Sequence, residues 1–141
     1  MKKPLIGLVF FMAVAFMHGT SYGESNKEYK NKFMLMLDHA VHVNDYVRQR
    51  LGDKSLALYA HGMAETNASA AERMTPPTKY AMLHPHFLLV LENIERSFYF
   101  AHKRDLAHYR HHQKMVRKEL QLLEALADRE RVDLYIWGQR R

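Results

Sequence analysis

A chain of 141 residues, 48% of them hydrophobic and 26% charged, can bury one core but is too short for two. The absence of cysteine excludes disulfide frameworks, thiol catalysis, thiolate zinc or iron–sulfur centres, covalent haem attachment and a lipidated N-terminal cysteine. What remains to be explained is a formal charge of +6, together with ten histidines and nine methionines.

Lys2 and Lys3 precede an apolar run from Leu5 to Met17, and the chain then turns polar before Ser21-Tyr22-Gly23. This pattern predicts a cleavable signal peptide over residues 1–23, with cleavage after Gly23. The run is shorter than the about 20 residues of a spanning helix, so no transmembrane segment is expected in the mature chain. Residues 24–141 would then form one exported helical-bundle domain, periplasmic or secreted, and the short lysine-led start points to a Gram-negative envelope.

Four helical stretches follow. From Asn26 to Leu51, Phe33, Leu37, Ala40, Val43/Asn44, Val47 and Leu51 recur at three- and four-residue steps, as one helix face requires. Gly52 ends that stretch, and Asp53 or Ser55 can cap a second helix from about Leu56 to Met74, rich in alanine. Thr75-Pro76-Pro77 stops it and opens an irregular segment to Pro85. A third helix carries Phe87, Leu91, Ile94, Phe98 and Ala101, with His86 in its first turn. A fourth, capped by Asp105, repeats Leu106, Tyr109, Gln113, Val116, Leu120, Leu123 and Ala127. Strand alternation is absent and the links at Gly52 and Arg104 are short. The fold expected is therefore all-α, an antiparallel up-down-up-down four-helix bundle, with the tail Leu134-Tyr135-Ile136-Trp137 extending the last helix or folding over one end.

On the fourth helix His108, His112, Met115 and Glu119 form a column bordering the apolar stripe. Pairing the first and fourth helices antiparallel sets His42 level with Met115 and His39 level with Lys118 and Glu119. His61 and Met63 on the second helix fall near the same height. Imidazole with thioether suits copper, and imidazole with carboxylate suits copper or zinc, so His42, His108, His112, Met115 and Glu119 are the candidate metal ligands. The competing reading is surface histidines and core methionines. A haem held by His42 and Met115 fits the same register, whereas Met34 and Met36 fall level with residues 121–123, away from His112.

Arg104, Arg110, Lys114 and Arg117, with Lys103, Lys118, His102 and His111, concentrate positive charge at the end of the third and fourth helices. The bland reading is a solvated helix face; the functional one is a contact surface for an acidic envelope protein or anionic headgroups. A homodimer is a further option.

No Glu-x-x-His pair of the di-iron bundles is present, nor GxSxG, a P-loop, GxGxxG or HExxH, so no enzymatic activity is expected. Export removes nucleic acid as a partner, and no reading motif occurs. No motif identifies a family, although the plan resembles small periplasmic helical proteins that bind metals or sense envelope stress. Two functions follow from these residues. One is a protein that binds, buffers or senses a transition metal through His, Met and Glu. The other is an adaptor that binds an envelope partner through its basic, histidine-rich hairpin end.

Overall fold

The structure is a computed structural model that describes residues 25–134. The predicted signal peptide and the tail from residue 135 onward lie outside the described residues. Within them the chain is all-helical, with four α-helices and no strand, consistent with a four-helix bundle.

The helices are α1 (Asn26–Gln49), α2 (Lys54–Glu72), α3 (His84–Lys103) and α4 (Leu106–Arg129), with one 3-10 turn at Thr78–Tyr80. Their starts follow from local chemistry. Ser25 accepts from the Glu28 amide at 3.1 Å and Asp53 from that of Leu56 at 2.9 Å. Asp105 accepts from the His108 amide at 3.1 Å, so each side chain satisfies a helix donor that has no partner inside its own helix. α3 has no side-chain cap and begins with Pro85 in its first turn, where proline's missing N–H costs nothing. The irregular segment before it is more ordered than expected, because the 3-10 turn buries Tyr80 in the core.

Cross-helix contacts fix the directions. His61 meets Glu95 and the Lys54 carbonyl meets His102, so α2 runs against α3; Asn93 meets His112 and His86 meets Glu119, so α4 also runs against α3. Tyr29 meets His84 and Phe33 meets Phe87, so α1 lies parallel to α3. α3 is the hub, packed closely along both α2 and α4. Small residues let α2 approach, with Ala57, Ala60 and Ala71 all buried, whereas α1 is held off by Tyr29, Phe33 and Leu37.

The core is densest where α1 and α3 begin and α4 ends. Tyr29, Phe33, Tyr80 and Phe87 are packed ring against ring there, with centroids 4.3 to 6.3 Å apart, and Leu83, Val90, Leu123 and Val132 close around them. Midway along the bundle the apolar stripe gives way to a polar layer. Asn44 and Gln113 exchange two amide hydrogen bonds at 3.1 and 2.6 Å, and the Gln113 amide also donates to Ser97 at 2.9 Å. Ser97 in turn donates to the Ile94 carbonyl, so the buried amides and the hydroxyl of this layer are paired. At the far end only a small cluster of Ala57, Ala101 and Tyr109 is buried, flanked by Leu51 and Phe100. Leu106, expected on the apolar stripe, is instead exposed at the start of α4. No helix of the described residues is long and apolar enough to cross a membrane.

Candidate functional site

The Asn44–Gln113 pair realises the α1/α4 register expected from the sequence, the offset that sets His42 level with Met115. The facing is different. Asn44 points into the bundle, and His42, two residues earlier, lies on the exposed side of α1. A hundred degrees per residue separates the two directions by more than half a turn.

The other four candidate ligands are also distributed. His108 is exposed, with Nδ1 2.6 Å from Asp105, and His112 is half-buried, with Nδ1 2.9 Å from Asn93 Oδ1. Glu119 is buried and is bound at 2.7 Å by Nδ1 of His86, while Met115 is half-buried on α4. The structure therefore brings together His108 and His112, whose rings both stack on Phe100 at 4.8 and 5.5 Å, and does not bring His42 or Glu119 to them. Among the described residues no three His, Asp or Glu side chains converge as a metal cluster.

The tautomers of this pair are determined by their partners. The Asp105 carboxylate can only accept, so His108 donates through Nδ1. The Asn93 amide nitrogen donates to the Leu89 carbonyl, which leaves its oxygen to accept from Nδ1 of His112. Wherever either imidazole is neutral, its lone pair is therefore on Nε2. Burial holds the His112 pKa below the ordinary 6.5, and the charges of His111, Arg96 and His108 push in the same direction. The same burial lowers His84, which sits against Tyr29 and Phe87. Asp105 is held below the usual carboxylate range by the His108 amide and imidazole.

Outward from this pair, the first half of α4 presents a basic row. Arg110, Lys114 and Arg117 follow at helical spacing, with His111 and Lys118 beside them, all exposed, and residues 107–118 contain no Asp or Glu. Lys32, Arg48, Arg96 and Arg129 each lie beside a nearby carboxylate. None of Arg104, Arg110, Lys114, Arg117 and Lys118 forms an ion pair among the described residues. Arg104 closes α3 in the left-handed region at φ 64°, a position that glycine fills without strain and any other L-residue at a cost of roughly 1–2 kcal/mol. Under this end the Tyr109 hydroxyl is buried with no hydrogen-bond partner, and burial raises its pKa.

Sequence reasoning located the basic row, because charge is written directly in residue identity. It missed the pairing of His86 with Glu119 and of His61 with Glu95, which join residues more than thirty positions apart. No known family, curated protein or solved structure matches this chain.

Proposed function

We propose that this protein is a non-enzymatic envelope adaptor, exported by its N-terminal segment, whose basic α4 face docks an acidic protein surface. The observation that carries this reading is the exposed run of Arg104, Arg110, Lys114, Arg117 and Lys118 with no carboxylate paired to it among the described residues. Unneutralised like charges on one helix repel and lower its stability by a few tenths of a kcal/mol per pair, so a partner that neutralises them gains that relief in addition to its own contacts. The strained Arg104 cap adds a cationic side chain to the same end.

Incubated with an envelope extract at low salt, the untagged protein is expected to retain an acidic protein partner that raised salt releases. Arg110→Glu with Lys114→Glu should abolish retention without lowering the melting temperature. Equal retention by the double variant would overturn the reading.

A second reading rests on the Nδ1 hydrogen bonds of His108 and His112. Such bonds orient imidazoles that offer Nε2 to a metal, and a His-x-x-x-His pair on one helix face is a two-ligand chelate for copper or zinc once the rings leave Phe100. Metal analysis of untagged protein, with an absorption spectrum for haem, tests it. Copper or zinc retained by the wild type and lost in His112→Ala supports it, and a metal-free, colourless sample whose melting temperature ignores added copper and zinc rejects it.

A further inference from the structure

The basic row of α4 has a counterpart of opposite sign on the same molecule. Between α2 and α3 runs a groove of about 390 Å³ bounded by Glu65, Glu72, Glu92 and Glu95, floored in part by Ala68 and Leu88. The one base on its lining, Arg96, is engaged by Glu92 at 2.8 Å, and Glu95 is held by His61. Glu65 and Glu72 are exposed and form no ion pair among the described residues.

The two features match in spacing as well as in sign. Glu65 and Glu72 are seven residues apart on one helix, as are Arg110 and Arg117 on another, so each pair is separated by roughly 10.5 Å along its axis at about 1.5 Å per residue. Lys114 falls midway along its row. A helix ridge entering the groove between two others is the usual way helices pack, and the small Ala68 and the apolar Leu88 leave room and surface for the aliphatic stems of arginine and lysine. Within one chain row and groove stay apart, because α2 and α4 both pack on α3 and no ion pair among the described residues joins them.

We propose that the acidic surface docked by the α4 row is the α2/α3 groove of a second copy of this chain. The proposal rests on the reading of that row as a docking face and names its partner. The contact is head-to-tail, so each bound copy leaves one row and one groove open, and assembly continues beyond two unless the ring closes. Because exposed charges are screened over about 8 Å at physiological ionic strength, association weakens as salt rises.

Sedimentation velocity of the purified protein over a concentration series is the test. At low salt the average mass is expected to rise to at least twice the monomer and to return to monomer at high salt. Arg110→Glu/Arg117→Glu alone and Glu65→Lys/Glu72→Lys alone should each stay monomeric, with unchanged circular dichroism and no fall in melting temperature. Mixing the two variants should restore association, since each then meets the opposite sign. A wild type that stays monomeric at every concentration in low salt overturns the proposal, as does a mixture that fails to associate. If the wild type is monomeric yet still retains an acidic envelope protein that Arg110→Glu/Lys114→Glu loses, self-docking fails and the broader reading of the row stands. If that variant also retains the partner, both fail.

Discussion

The two ends of the bundle are built on different principles. Where α1 and α3 begin, four aromatic rings and a ring of aliphatic side chains fill the space, and His84 is drawn in neutral against Tyr29. Where α3 turns into α4, the buried cluster shrinks to two alanines and a tyrosine and the basic row faces solvent unpaired, while a left-handed arginine follows a helix at each end, Arg104 after α3 and Arg131 after α4. Between them the Asn44–Gln113–Ser97 layer fixes the register of three helices. The lesson is a division of labour along one axis. Stability is concentrated at the aromatic end, which leaves the hairpin end free to carry unneutralised charge for binding.

The sharpest way to break this contrast is to empty the aromatic end. Phe87→Ala removes a fully buried ring that contacts Phe33, and should cost about 3–5 kcal/mol in denaturant unfolding, while Phe100→Ala at the hairpin end should cost clearly less. Next in size is the polar layer. Gln113→Leu leaves Asn44 and Ser97 buried without their partner and should cost about 1–3 kcal/mol, whereas the paired change Asn44→Leu/Gln113→Leu should recover much of that loss. Recovery would show that the layer specifies register more than it adds stability.

At the hairpin end the sign reverses. Arg104→Gly should raise stability by roughly 1 kcal/mol by relieving the left-handed arginine, while weakening retention of the partner. Tyr109→Phe removes a buried hydroxyl that bonds to nothing and should be neutral or stabilising by up to about 1 kcal/mol in the same unfolding assay.

A pH series reads a smaller effect that is present at both ends. His84 and His112 are held neutral by burial, with pKa values lowered from 6.5, so the unfolded chain takes up protons first as pH falls. The stability they contribute is complete above about 6.5 and is lost as pH falls below it, until the folded groups titrate. His84→Gln keeps a hydrogen-bonding group beside Tyr29 but does not titrate, and should flatten the fall in melting temperature between pH 7 and pH 5.

Much of the fold was legible because it depends on local patterns. Phe33, Leu37, Ala40 and Val47 on α1 and Phe87, Leu91, Ile94, Phe98 and Ala101 on α3 are buried as their spacing predicts, and Asp53 and Asp105 cap the helices they precede. The relative height of the helices was legible too, since short links leave little freedom in register. The candidate metal layer was not. Register gives height along the bundle, but rotation about each helix decides which side chain at that height faces inward, and two residues on α1 separate exposed His42 from buried Asn44.

The sequence by itself determined four amphipathic helices, their order, the caps of α2 and α4 and the sign of the charge on the α3/α4 hairpin, because propensity, periodicity and charge reside in residues close along the chain. Asp105 meets His108 within one helical turn, but only the tertiary structure decided the partners of His61, His86 and His112. Asn93, Glu95 and Glu119 were available to several imidazoles, and the rotation and spacing of α2, α3 and α4 assigned them to His112, His61 and His86. The same packing left Arg110, Lys114, Arg117 and Lys118 without a carboxylate of their own and turned the glutamates of α2 and α3 toward one groove, so the charges that define the proposed contact are complementary between molecules and separate within one.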